Sequence, residues 1–361
     1  MQLFRITATD YGNGVHGLQV LGSENIIGAG GLGRNLIGHS GENGIVIGKD
    51  SGSAADANEI VSNWIGTNDI GDDLGMEIGI QILNGANSLV TNNKISNNTN
   101  GSAYQGESGV FLHGNTISDN QTASAYFPAP GQLGSLDSSQ PNIIGNNTFG
   151  VLVDAYESAN PTGLAIIRNN FIGTWSPGTA TGNVNAHNNT GIQFNPTDDS
   201  SYGNTIRGNR IHANGSTSTP GINLGMTELD YGGDGTGPNT LLNYPDFDPN
   251  ATSFDQATGQ LSYRYRVQTT PINADWPLTI DFYLTSDSSP QGLTYIGSET
   301  YPESAAFEFR SGTLSTSESV SGSTHLVATA TDSSGNTSQF THQPFPLVVS
   351  DVLFSDRFEG P

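Results

Sequence analysis

The sequence predicts an all-β chain: a solenoid of short parallel strands, a parallel β-helix, followed by a small antiparallel immunoglobulin-like β-sandwich. Three observations predict it. A Gly-apolar-x-apolar unit returns at Gly17, Gly44, Gly79, Gly109, Gly150, Gly191 and Gly221. An Asn-x-apolar unit interleaves with it, as at Asn25, Asn35, Asn58, Asn93, Asn115, Asn170, Asn204 and Asn209. After Gly225 this rhythm stops, and longer alternating strands take over.

The repeat falls within the range of roughly 20–50 residues that marks solenoids and arrays. Apolar residues spaced by two read as strands with one face inward, and no 3.6-residue periodicity competes with them. Paired hairpin turns are missing, so a propeller blade does not fit. Short strands stacked about 4.8 Å apart satisfy the spacing, with only the loops varying in length. Asparagine suits the corners because it tolerates left-handed backbone and its amide can bond the amide of the next turn.

Unequal spacing locates insertions. Polar excursions are expected from Asn68 to Gly75, from Gln121 to Gln140 and from Trp175 to Asn188. Loops thrown out on one side of a solenoid commonly shape its binding face. The expected boundaries are a β-helix over 1–227, a connector over 228–255, a sandwich over 256–350 and a tail over 351–361. The connector, rich in Gly, Pro and Asp, carries Asp230, Asp234, Asp246 and Asp248, which could hold calcium. They lack regular ligand spacing and read as turn residues, so no cofactor and no metal site is expected. The sandwich is read from alternation at Leu261–Val267, Leu278–Leu284 and His325–Ala330.

Composition narrows the function classes. The chain has 361 residues, 34% of them hydrophobic, with 11 Lys plus Arg against 34 Asp plus Glu and a net charge of −23. Low hydrophobicity with high charge raises disorder, but the regular Ile, Val and Leu spacing argues against it. Net negative charge opposes nucleic acid and anionic lipid, which need clustered cations. There is no cysteine, so disulfides are not used. Residues 1–20 contain no signal peptide, and no run approaches membrane-spanning length. The repeat begins abruptly, as expected of a piece of a longer parent. Oligomeric state is not legible.

The solenoid resembles the right-handed parallel β-helix repeat family of exported bacterial proteins. The motifs that carry the resemblance are NWIGTNDIG at Asn63–Gly71, NFIGT at Asn170–Thr174 and the recurring GI-x-I units. GDGTGPNTLLNYPDF, DFYLTSDSS and VATATDSSGNTSQF resemble the module that follows such helices in large surface proteins. Phe354–Glu359 is similar to an FxDGFE tail of exported proteobacterial proteins, with Arg357 in place of its glycine. The resemblance implies an extracellular or cell-surface location. The family it implies includes polysaccharide lyases, hydrolases and epimerases as well as surface proteins without known chemistry.

Outward positions of the glycine-led strands supply candidate site residues. Reading the fourth position turn by turn places His113, Asp154 and Asn195 in one column, with Gln193 and Gln81 in the second-position column and Tyr156 just beyond. An imidazole beside a carboxylate suits base chemistry, and the resemblance implies catalytic His, Asp and Tyr on this strand in related epimerases and lyases. His113, Asp154 and Tyr156 are therefore the catalytic candidates. Asn195, Gln193, Gln81, Trp175 and Trp64 are the substrate-binding ones, the tryptophans as sugar-stacking platforms. His16, His39, His187, His212 and His325 lack metal-ligand spacing, and no GxSxG element supports serine chemistry. The expected function is a secreted or surface binding or scaffold module contacting neutral or mixed polysaccharide; the alternative is a lyase, epimerase or glycoside hydrolase.

Overall fold

The computed structural model describes residues 14–29, 34–48, 54–83, 85–104, 110–127, 131–135, 139–153, 165–173, 188–195, 201–216, 218–225 and 237–350. Among them the chain winds a right-handed parallel β-helix with three faces. Each turn contributes one strand to each face. The first face holds eight strands: His16–Val20, Asn43–Ile47, Ile78–Ile82, Asn100–Tyr104, Ala123–Phe127, Phe149–Val153, Thr190–Phe194 and Ile222–Asn223. The second holds seven: Ile26–Ile27, Glu59–Val61, Leu89–Thr91, Val110–His113, Gly131–Leu133, Ala165–Arg168 and Thr205–Arg207. The third holds another seven: Leu36–Ile37, Trp64–Ile65, Lys94–Ser96, Thr116–Ser118, Ile143–Gly145, Phe171–Ile172 and Arg210–Ile211.

The core is a stack of aliphatic columns. On the second face Ile60, Val90, Leu112, Leu133 and Ile167 are fully buried, and on the third face Ile65, Ile95, Ile117, Ile144 and Ile172 match them. Burying each such side chain contributes about 1.5–3 kcal/mol. Few aliphatic residues per turn therefore suffice, which is how a chain of low overall hydrophobicity builds a continuous core.

Glycine leads the first-face strands for a steric reason. A Cβ on Gly79 would lie 2.5 Å from the Gly101 carbonyl oxygen of the next turn and 2.9 Å from the Ile95 Cγ2. The pairing of Asn100 with Ile78 and with Ala123 makes Gly101 and Ser124 the next members of this column after Gly79. Between Gly79 and Gly150 the first face thus holds two strands, Asn100–Tyr104 and Ala123–Phe127, where the sequence spacing places a single one led by Gly109. The stretch expected as an excursion from Gln121 to Gln140 contains the strands Ala123–Phe127 and Gly131–Leu133, so it is a further turn of the coil. Gly109 lies outside the described residues, and the strand after it, Val110–His113, belongs to the second face instead of the first. The local pattern is the same on both faces; only the count of turns tells them apart.

Asparagines line the corners as predicted. Ahead of the third face the amides of Asn35, Asn63, Asn93, Asn115, Asn142, Asn170 and Asn209 bond one to the next at 2.9–3.1 Å. Ahead of the first face Asn98, Asn120, Asn147, Asn188 and Asn214 repeat the arrangement at 2.9–3.2 Å. These amides are buried, so each rung satisfies groups that would otherwise cost about 1–3 kcal/mol unpaired.

The sandwich packs two sheets over an apolar core. One pairs Gln260–Val267 with Pro245–Phe247, Ser253–Asp255 and Arg310–Ser315. The other runs Thr294–Tyr301, Leu278–Thr285, His325–Thr331, Phe345–Pro346. Pairing is antiparallel except for Ser253–Asp255 with Val348–Ser350. Pro245–Phe247 and Ser253–Asp255 fall within the stretch expected as connector; the sandwich therefore starts before residue 256. Their short runs beside Pro and Asp hide them from an alternation test. Tyr263 and Phe282, with ring centroids 4.5 Å apart, join the two sheets.

The sandwich also closes the end of the coil. An open parallel edge exposes unpaired N–H groups, and here the sandwich meets all three faces. The N–H groups of Ile206, Ile211 and Leu224 donate to Thr337 Oγ1 at 3.0 Å, the Gly292 carbonyl at 2.8 Å and Gln339 Oε1 at 2.8 Å. Tyr283, Val327 and Phe340 continue the apolar core of the coil.

Candidate functional site

The corner between the third and first faces carries a lengthened loop. It leaves Ile65 and returns at Ile78. At the same corner lies a polar recess of about 330 Å³ lined by Asp119, Asn120, Gln121, Asn146, Asn147, Thr148 and Asn189. Asn120 and Asn147 are ladder rungs and form its buried floor. Asp119 and Asn146 precede them with left-handed φ of 60° and 57°, a conformation that asparagine and aspartate tolerate and that leaves both exposed at the rim.

The rim is pre-ordered. Asn146 Nδ2 donates to Asp119 Oδ1, and Ser96 Oγ donates to Asp119 Oδ2 at 3.2 Å. Thr148 Oγ1 donates to the Gln121 carbonyl at 2.6 Å. Amides, a hydroxyl and one carboxylate thus offer donors and acceptors side by side within one recess. Such a lining matches a ligand rich in hydroxyl groups. The sequence signal was an Asn or Asp directly before a ladder Asn: Asn97-Asn98, Asp119-Asn120, Asn146-Asn147.

The residues singled out from the sequence lie on three different faces. His113 ends a second-face strand, in register with Thr91, and its Nδ1 lies 3.3 Å from Thr91 Oγ1. Asn195 follows the first-face strand Thr190–Phe194. The expected column of His113 with Asn195 does not form, because the turn count places them on separate sheets. Asp154, Tyr156 and Trp175 lie outside the described residues. Gln81 and Gln193 do share the outward column of the first face, as expected, but Ala103, Tyr126 and Leu152 separate them by register. Asn43 Nδ2 donates to Gln81 Oε1, and Asn223 Nδ2 to Gln193 Oε1, both at 2.9 Å. Trp64 sits on the third face with the Arg34 guanidinium 4.3 Å from its ring centroid, so one face of the indole is already covered.

The aspartates weighed for calcium are otherwise engaged where they are described. Asp248 pairs with Arg264 at 2.8 Å, and Asp246 lies 3.4 Å from Arg266. Asp230 and Asp234 lie outside the described residues. No helix among the described residues is long and apolar enough to cross a membrane.

Comparison with known proteins agrees with the fold. Residues 7–173 match the family model described as a right handed beta helix region. No curated protein matches the sequence. Among solved structures, the full-length tailspike protein 2 from Escherichia coli O157:H7 bacteriophage CAB120 aligns over 90% of this chain at 11% identity, with a TM-score of 0.25. The chain spans 50% of that protein's length.

Proposed function

We infer that this chain, with its right-handed β-helix region and a β-sandwich closing the coil, is a secreted or surface-attached binding module that contacts polysaccharide along the coil. The observation that carries the reading is the recess at Asp119, Gln121, Asn146, Thr148 and Asn189, where hydroxyl-recognising groups converge. Amides, a hydroxyl and a carboxylate converging in one recess can donate to and accept from several sugar hydroxyls at once. The stacked turns repeat at about 4.8 Å, so the coil presents an extended surface suited to a polymer. The sandwich, read as an immunoglobulin-like module, serves here as the end cap.

Calorimetric titration of neutral oligosaccharides into the parent, Asn146→Ala and Gln121→Ala tests the reading. Loss of hydrogen bonds in the recess should weaken binding about tenfold per substitution. Binding unchanged in both variants, or absent from the parent across a broad glycan panel, would overturn it.

A further inference from the structure

A second polar feature lies on the second face, away from the corner recess. Register places His113, Gly134, Arg168 and Arg207 at successive outward positions, since Leu112, Leu133, Ile167 and Ile206 pair one with the next just before them. Arg207 forks onto Asp281 of the sandwich, Nε to Oδ2 at 2.7 Å and Nη2 to Oδ1 at 2.6 Å. Asp281 is 1% exposed, and its charge is met by that fork. Among the described residues Arg168 has no such partner and forms no ion pair, and its Nε is buried without a hydrogen bond.

Gly134 supplies no side chain between His113 and Arg168. Its φ of +94° and its approach to the Arg168 carbonyl leave no room for a Cβ. Between His113 and Arg168 the outward column therefore carries no side chain over two rungs, about 10 Å. On the neighbouring outward column Phe111, 39% exposed, and the half-buried Ile166 flank Gln132. A guanidinium, an imidazole, an amide and an apolar flank thus share one stretch of this face.

We propose that this stretch of the second face binds an acidic sugar unit, Arg168 receiving its carboxylate or sulfate; the proposal rests on the polysaccharide reading above. A planar guanidinium matches a bidentate oxyanion. Burial, then the neighbouring Arg207, pull the Arg168 guanidinium below its ordinary range, and the charge of a bound anion opposes that shift by favouring the cation. The net charge of −23 does not forbid this, because at physiological ionic strength charges beyond about 8 Å are largely screened. The chemistry selects a mixed polymer, neutral units at the corner and acidic units at Arg168.

The test is calorimetry of the parent, Arg168→Gln and Arg168→Lys against three matched oligosaccharides, one with uronate carboxylates, one sulfated and one neutral. The parent should prefer at least one charged oligomer over the neutral one by about tenfold, Gln should abolish that preference, and Lys should keep only part of it. The oligomer that gains more identifies the oxyanion. A parent that binds all three equally, or a preference untouched in Arg168→Gln, overturns the anion site while leaving the polysaccharide reading intact. A parent that binds none of them overturns both. Circular dichroism of each variant separates loss of contact from loss of fold.

Discussion

Gln291 of the sandwich occupies the rung that the next asparagine of the corner ladder would hold, its Oε1 accepting from Asn214 Nδ2 at 3.2 Å and from the Asn214 N–H at 2.9 Å. Its own Nε2 donates to the carbonyls of Asn214 at 2.8 Å and Thr219 at 3.2 Å. One side chain from another module thus completes both the donors and the acceptors of the last turn. Gln291→Ala leaves several buried groups unpaired and should cost about 2–4 kcal/mol. Urea denaturation checks this, and hydrogen exchange should show the added opening concentrated in the turn around Asn214, because a solenoid frays from its ends.

Arg207 and Asp281 hold the same junction by charge. Contact with Asp281 raises the Arg207 guanidinium above its ordinary range, burial opposing it. Removing one partner strands the other. Asp281→Ala should therefore destabilise the chain by about 3 kcal/mol. The double variant Arg207→Met with Asp281→Ala should recover much of that loss, and a double-mutant cycle on the melting free energies measures the coupling. Additive losses would show that the pair adds nothing to the docking.

The coil itself was legible because two short patterns repeat, one set by steric exclusion at glycine and the other by amide ladders. What the sequence hid was the turn count. Asn100–Tyr104 and Ala123–Phe127 run as first-face strands, yet NGSAY and ASAYF lack the Ile and Val that mark the other strands. Small residues suffice there: Ser102, Ala123 and Ala125 are fully buried. With these two strands hidden, the sequence reading counted one turn too few and took the segment after Gly109 for a first-face strand, whereas Val110–His113, and with it His113, belongs to the second face. The candidate recess was partly visible, since its floor is ladder asparagine, but which turn bears it depends on loop lengths at one corner. The cap at Gln291 was not visible at all, because nothing local distinguishes it from any other loop glutamine.

The same steric rule gives a test of register. A methyl on Gly79 would meet the Gly101 carbonyl at 2.5 Å, the Asn98 amide at 2.9 Å and Ile95 at 2.9 Å, whereas one on Gly322 meets nothing within 4 Å. Gly79→Ala should cost about 1–3 kcal/mol through overpacking. Gly322→Ala should stay within about 0.5 kcal/mol. Equal melting temperatures for the two variants would contradict the stacking of Gly79 under Gly101.

The sandwich should fail in alkali before the coil does. Tyr263 and Tyr265 donate to the two oxygens of Glu299 at 2.8 and 2.5 Å. Burial first, then the bond to Glu299 and its charge, raise both phenols far above their ordinary range. Burial first, then Asp281, does the same for Tyr283, whose hydroxyl accepts from the Gly208 N–H at 3.0 Å. A group whose folded pKa is raised contributes stability that is complete below its unfolded value, here about 10, and is lost as pH rises above it. Melting temperature should therefore hold to about pH 10 and fall beyond it, with a cooperative rise in tyrosinate absorbance at the point where near-ultraviolet circular dichroism is lost. A smooth tyrosinate titration of these residues near pH 10, with tertiary structure intact, would show that the aromatic core between the two sheets is open to water.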